Sequence, residues 1–548
     1  MSDPILLAKS LFFGYDESPC AQPILQDVSI SVEPGSIVAI VGESGSGKST
    51  LAKLLCGMLT PTKGEVLYRG EPLRAPAMTG LHLLLQEPYS TFNPYHDVWR
   101  LLCEPLRAQG QLPSSPKAIM SLLQNALDEV GLGHVAFDVS PRSLSGGQLQ
   151  RLALARILLL KPKVIIGDEP FSALDVSIRA QILELMLRLR EERGLTYVLI
   201  SHDIDLVERT ADQVAVIHRG RIVESGAAHE VISQPAHDYT LALRAASPIR
   251  RLHRSKITPA RIRQATHTTA LEIRDLQLRH TAEDSDRVLV DGVDLTLERG
   301  DTLAIVGESG AGKSLTARAV IGILPPAIRV SRGRIAIGEI SALKADSRTL
   351  RQLRGSTVSY IPQDPLRALN PVRRIGDLFN ELLTRHGTTS TRERQDRIAR
   401  CLQRVGLAAE VQRRFAHELS GGMRQRALIA MAIAVDPLLI IADEPTTALD
   451  TTVQAEILDL LRELTDGSTA LLLITHDLAV AANLCQRLIV MREGKIVEQG
   501  AFDQLLSTPS NEYTRRLIAN SLLEAPQSDP MTLVPTTAPY AQRRDAEY

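Results

Sequence analysis

Short runs rich in Val, Ile and Leu fall at 37–41, 164–166 and 197–200, and again at 303–306, 439–441 and 471–474. Continuous apolar runs this short read as strands buried on both faces. Between them lie longer stretches with helical spacing of apolar positions, such as 176–193 and 451–464. This alternation predicts an α/β fold, with a mainly parallel sheet covered by helices. The most apolar helical run, ALIAMAIAV after Arg426, meets Asp436 and Pro437 well short of the ~20 residues a membrane span needs. The start of the chain, MSDPILLAKSLFFGYDES, lacks the basic opening and long apolar core of a secretory leader.

The pattern is written twice. IVAIVGESGSGKST (37–50) returns as LAIVGESGAGKSL (303–315), and LSGGQLQR (144–151) as LSGGMRQR (419–426). VIIGDEPFSALD (164–175) returns as LIIADEPTTALD (439–450), and LISHD (199–203) as LITHD (473–477). So long a period marks a duplicated domain rather than a solenoid. The expected division is one domain over 1–247, a linker over 248–268, a second domain over 269–526, and a disordered polar tail over 527–548. The linker stretch PIRRLHRSKITPARIRQ holds six Arg or Lys and no acid. A solvated connector is the simpler reading, and a patch for anionic lipid or another protein the sharper one.

Composition narrows the choices further. Lys and Arg number 62 against 63 Asp and Glu, for a net charge of −1, so the chain is not coated for phosphate backbones. Aromatic residues make up 3%, with Trp99 the single tryptophan, which argues against a base-stacking surface. Cys20, Cys56, Cys103, Cys401 and Cys485 are scattered without metal-ligand spacing and read as reduced, buried thiols.

The chemistry sits in the repeated motifs. Gly42-Glu43-Ser44-Gly45-Ser46-Gly47-Lys48-Ser49-Thr50 and Gly307-Glu308-Ser309-Gly310-Ala311-Gly312-Lys313-Ser314-Leu315 each follow a strand and open a helix. Glycines let backbone N–H groups wrap phosphate oxygens, and the helix start adds a favourable dipole. Lys48 and Lys313 would reach the β- and γ-phosphates, while Ser49 and Ser314 would place a hydroxyl on Mg²⁺. The strands ending at Asp168-Glu169 and Asp443-Glu444 deliver carboxylates to the sheet edge. Asp168 and Asp443 suit the metal shell, and Glu169 and Glu444 can polarise a water for in-line attack. An acidic cap for the following helix is the competing reading. Gln86 and Gln363 follow apolar strands and could sense both Mg²⁺ and the attacking water. His202 and His476 end strands and read as γ-phosphate sensors against the alternative of structural histidines.

LSGGQ at 144–148 and LSGGM at 419–423 complete a set that resembles the ATP-binding-cassette ATPases over nearly both halves. The resemblance implies two tandem P-loop cassettes, each with a mainly parallel sheet core, an antiparallel β subdomain and a helical subdomain carrying the signature. It further implies head-to-tail sites, with Ser420, Gly421 and Gly422 completing the site at Lys48. Ser145, Gly146, Gly147 and Gln148 would complete that at Lys313, with Asp175 and Asp450 in the loops linking the sites. Tyr15 matches the aromatic that stacks on adenine, a place that His280 takes in the second half.

Within that family, YSTFNP (89–94), LRALNP (366–371), QPAHDYT (234–240) and TPSNEYT (508–514) are similar to segments of the dipeptide, oligopeptide and nickel importer ATPases. That likeness implies ATP and Mg²⁺ as cofactors and two separate integral-membrane permease subunits. It also implies an extracytoplasmic solute-binding protein, no nucleic acid, and a peripheral place on the cytoplasmic side of the plasma membrane. The cargo would be a small peptide, a metal or a metal chelate. The cysteine cluster that many members carry after the cassette is missing here. Two other readings remain: a ribosome-binding translation factor, which would show salt-sensitive ribosome binding, and the ATPase of a soluble phosphonate-type enzyme assembly, which would co-purify with soluble enzymes.

Overall fold

The computed structural model describes residues 3–15, 23–73, 80–85, 91–171, 174, 176–248, 268–282, 285–387, 390–447, 449–465 and 469–522. Gln86, Asp175, Cys20, most of the basic linker and the expected disordered tail lie outside these residues.

Each half builds the same pair of sheets. In the first, six strands run in the order Arg221–Ala227, Gln213–His218, Ile37–Val41, Thr196–Ser201, Val164–Asp168, Leu81–Leu84. All neighbours are parallel except the edge strand Arg221–Ala227. Ile37–Val41 and Val164–Asp168 are buried at every position, as their apolar runs require for all but Asp168, whose carboxylate ends the second strand. The second half repeats the order with Lys495–Ala501, Arg487–Arg492, Thr302–Val306, Ala470–Ile474, Leu439–Asp443 and Val358–Ile361. A four-stranded antiparallel sheet accompanies each: Leu25–Val32, Leu6–Phe13, Lys63–Tyr68 and Glu71–Pro72 in the first half. Its counterpart orders Ser285–Glu298, Thr269–Ala282, Ile328–Ile337 and Ile340–Ser341.

Two cores flank each parallel sheet. In the first half, Val38, Ile40, Val164 and Ile166 face the antiparallel sheet and the helix Lys48–Leu55. On the other face Ile37, Ile165 and Tyr197 meet the helices Val98–Ala108, Pro116–Glu129, Gly146–Leu158 and Val176–Arg193. The predicted helix over 176–193 is observed with those bounds, and that over 451–464 as Thr451–Thr465. Among the described residues, no helix is long and apolar enough to cross a membrane. Cys56, Cys103, Cys401 and Cys485 are buried free thiols.

After each cassette the chain is clasped by a strand carboxylate. Glu224 accepts from the N–H groups of Ala236 (2.8 Å) and His237 (3.1 Å), and Glu498 from those of Ser510 (2.7 Å) and Asn511 (3.2 Å). Burial alone would raise the Glu498 pKa, but donors from Thr514, Ser510 and Asn511 outweigh it and hold the carboxyl at about 2. A folded pKa below the unfolded value of ~4.3 gives a contribution that is complete above that pH and disappears as pH falls through about 2. Amide protection at Ser510 and Asn511 should therefore persist from pH 7 to 5 and fall on acidification below 4. Hydrogen exchange reads this directly, and Glu498→Gln should show the reduced protection at pH 7.

Candidate active site

The phosphate loops are set by close packing. A Cβ on Gly42 would stand 2.2 Å from the Ile217 carbonyl oxygen, and one on Gly307 2.2 Å from that of Met491. Gly47 (φ 102°) and Gly312 (φ 95°) cap the helices Lys48–Leu55 and Lys313–Val320 in the left-handed region that glycine tolerates. Gly45 and Gly310 face open space, where a Cβ would meet nothing within 4 Å. Lys48 is 6% exposed, and its Nζ donates to the carbonyls of Gly42 and Glu43 at 2.8 Å each. Lys313 does the same to Gly307 (2.6 Å) and Glu308 (2.8 Å). Burial lowers the Lys48 pKa; Glu169, Asp450, Asp168 and Glu43 pull the other way.

The residues proposed for Mg²⁺ meet in each half. Ser49 Oγ lies 3.1 Å from Asp168 Oδ1, and Ser314 Oγ 2.7 Å from Asp443 Oδ1. Burial pushes the Asp168 carboxyl up, against the pull of Ser49, so its charge lacks sufficient compensation from protein groups. In the first phosphate loop, the buried Ser46 hydroxyl has no partner among the described residues. An oxygen donor set, an undercompensated carboxylate and an orphaned hydroxyl all fit a metal-bound polyphosphate. Tyr360 adds a contact that no motif announces: its hydroxyl donates to Asp443 Oδ2 at 2.7 Å. The matching position in the first half is Leu83, so that group is missing there. Leu315 packs against the second core, which accounts for an apolar residue beside Ser314.

Glu169 and Glu444 hold positive φ, 48° and 49°, an unusual conformation for a residue with a side chain. Their N–H groups donate to Ile200 O (3.1 Å) and Ile474 O (2.8 Å), which pins the turn after each strand. His202 Nδ1 sits 3.4 Å from Glu169 Oε2, and His476 Nδ1 3.4 Å from Glu444 Oε1. Burial would raise both carboxyls, yet the histidines, with Lys48 and Lys313, bring them below the ordinary glutamate value. Gln363 Nε2 donates to Glu444 Oε2 at 2.7 Å, and Thr447 Oγ1 to the same oxygen at 3.0 Å.

Ser145 and Ser420 are helix N-caps, accepting from the N–H groups of Gln148 and Met423 at 3.3 Å each. Gln148 returns a contact to the Ser145 N–H at 2.9 Å, which Met423 has no oxygen to do. Gly147 and Gly422 fit tightly against Ile178 and Val453, where a Cβ would approach to 2.5 Å. Val453 belongs to the helix whose first residues cross to the other half. Asp450 Oδ2 accepts from the Ser44 N–H at 3.4 Å, Thr452 Oγ1 donates to Glu43 Oε1 at 3.2 Å, and Thr451 Oγ1 donates to the His202 carbonyl at 2.5 Å. Tyr15 is 62% exposed and meets Phe13 edge-on at 5.0 Å, while His280 lies within the strand Thr269–Ala282.

Both motif sets coincide with a family model described as ABC transporter, matched over residues 25–172 and 290–447. The chain belongs to the ABC transporter family. It is an ABC transporter ATPase with both cassettes in one polypeptide. Residues 223–272 match a second model, described as the oligopeptide/dipeptide transporter C-terminal region, which takes in the clasped segment after the first cassette. The peptidoglycan transport ATP-binding protein YejF of Agrobacterium fabrum is 35% identical over 94% of this chain and 96% of its own length. The glutathione import ATP-binding protein GsiA of Escherichia coli is 34% identical over 94% of this chain and 89% of its own. Among solved structures, an archaeal ribosome recycling factor in complex with a ribosomal stalk protein aligns over 93% of this chain and 92% of its own, with TM-score 0.61 and 21% identity. That likeness is one of fold.

Proposed function

We propose that this ABC transporter ATPase powers uptake of a small peptide or peptide-containing solute through two separate permease subunits, loaded from outside by a solute-binding protein. It would sit peripherally on the cytoplasmic face of the membrane. The dipeptide and oligopeptide family match after the first cassette, and the peptide-derived cargoes for which the full-length relatives are named, support this choice over a metal or a chelate. The likeness to the ribosome factor extends only to fold, and the net charge of −1 does not favour an RNA surface.

In this reading Lys48 and Lys313, with the loop N–H groups, hold the triphosphate. Glu169 and Glu444 orient the attacking water and accept its proton, and His202 and His476 keep each carboxylate aligned and ionised. Bound Mg²⁺, which Ser49 with Asp168 and Ser314 with Asp443 would hold, would neutralise developing phosphate charge, with Gln363 as the sensor that its contact to Glu444 suits and Gln86 as its expected counterpart from the sequence. Ser145, Gly147, Ser420 and Gly422 would complete the opposing sites, a role supported by the packing of Gly422 on the helix that reaches Glu43.

One duplicated observation carries the link to a membrane partner. After each Gln segment, an Asn-Pro turn holds a large apolar side chain outward. Asn93 Oδ1 accepts from the Tyr95 N–H at 3.0 Å and Asn370 Oδ1 from the Val372 N–H at 3.1 Å, leaving Tyr95 85% and Val372 79% exposed. Leu366 is exposed nearby. Rigid turns that present apolar groups to solvent suit insertion into a partner pocket. Tyr95→Asp with Val372→Asp should lower permease co-purification at least tenfold while the chain's own ATPase rate stays within twofold. Unchanged recovery of membrane subunits would refute the docking role, and recovery of ribosomes or only soluble enzymes would overturn the uptake reading.

A further inference from the structure

The clasped segments after each cassette take no part in the chemistry above, yet each sends a tyrosine into a phosphate loop. Tyr239, in the helix Asp238–Ala246, accepts the Glu43 N–H at 2.8 Å. Tyr513, in the helix Glu512–Leu522, accepts the Glu308 N–H at 3.1 Å. Different neighbours support the two rings. The His218 ring lies 4.0 Å from that of Tyr239 at 31°, whereas the Arg492 guanidinium stands 5.1 Å over Tyr513. The same strut thus stands in both halves although the group that backs the ring differs.

Glu43 is gripped from both halves. Its backbone is held by Tyr239, its carboxylate by Thr452 of the other half, and the adjacent Ser44 N–H by Asp450. The helix carrying Tyr239 packs on Thr451–Thr465 of the second half, and that carrying Tyr513 packs on Val176–Arg193 of the first. The helix carrying Tyr239 therefore touches its own phosphate loop and the helix through which the second half reaches that loop.

We propose that Tyr239 and Tyr513 are positioning residues that fix the outer limb of each phosphate loop, Glu43–Ser44 and Glu308–Ser309, for engagement by the opposite cassette. The hydroxyl fixes the Gly42–Glu43 peptide plane through the Glu43 N–H, and with it the start of the next plane, whose Ser44 N–H meets Asp450. Lys48 holds the Gly42 carbonyl of the same peptide plane, so the plane keeps a second anchor when the hydroxyl is lost and nucleotide binding to one half should survive. Closure of the halves depends on the hydroxyl. The inference rests on the reading that ATP draws the halves together.

Tyr239→Phe and Tyr513→Phe each delete one oxygen and keep the ring, so the test is made in the full chain assembled with its permeases. Each should lower kcat about tenfold, the effect of leaving one enclosed N–H unpaired, with the KM for ATP within threefold of the parent. A distance probe across the halves should show less closure with a non-hydrolysable ATP analogue. Thr452→Val acts on the same limb, so Tyr239→Phe/Thr452→Val should be no slower than the worse single variant within twofold. Unchanged kcat, a raised KM at constant kcat, or multiplicative losses in the double variant would overturn the assignment. If the parent chain itself shows no ATP-dependent closure, the clamp reading fails; if the parent closes and Tyr239→Phe closes equally, only the strut fails.

Discussion

Replacing Glu444 by Gln will cut ATP turnover of the assembled complex at least twofold, and the Glu169→Gln/Glu444→Gln pair will lose ~10²-fold or more, the scale of a lost general base. Gln keeps the length and an oxygen for the histidine contact, so the site should still assemble and bind ATP. What disappears is the anion that accepts a proton from water. Both carboxyls are held below the ordinary glutamate value despite their burial, and both have a histidine nitrogen at 3.4 Å. The near-identity of the two geometries predicts two competent sites. Steady-state phosphate release measures the effect, and turnover unaltered by Glu444→Gln would remove the second site from the mechanism.

Gly42→Ala should be the most damaging single methyl in the first phosphate loop. The added carbon meets the Ile217 carbonyl oxygen at 2.2 Å, a backbone atom in the strand beside the loop, so either strand or loop must move. Overpacking against backbone costs on the order of 2–3 kcal/mol, and the displacement also disturbs Lys48, which bonds the Gly42 carbonyl. Gly45→Ala serves as the control in the same loop. Nothing lies within 4 Å of its Cβ, and only its φ of 81° opposes the substitution, at ~1 kcal/mol. Thermal unfolding should separate the two variants by several degrees. Fluorescent ATP binding should fall from two sites to one in Gly42→Ala. Equal melting temperatures would show that the loop relaxes freely.

Much of this was legible in the chain. Apolar runs marked the three central strands of each six-stranded sheet, since a strand covered on both faces disfavours polar positions, while the outer strands carry polar residues and were not marked. Motifs at strand ends assigned Ser49 with Asp168 and Ser314 with Asp443 to one expected metal site each, and the structure brings each pair within hydrogen-bond distance. The antiparallel sheets were expected only through the family resemblance, because their strands mix exposed and buried positions and carry weak periodicity. The Leu83 and Tyr360 difference gave no signal either, since both residues suit a strand.

Sequence alone determined the duplication, the sheet-forming segments and the identity of the groups around each phosphate loop, because these depend on local pattern and on chemistry carried by adjacent residues. Tertiary structure alone decided which distant groups meet: Tyr239 with Glu43, Tyr360 with Asp443, and Thr452 of one half with Glu43 of the other. Those contacts join residues far apart along the chain, and their partners are chosen by the packing of whole sheets and helices rather than by any spacing a linear pattern records.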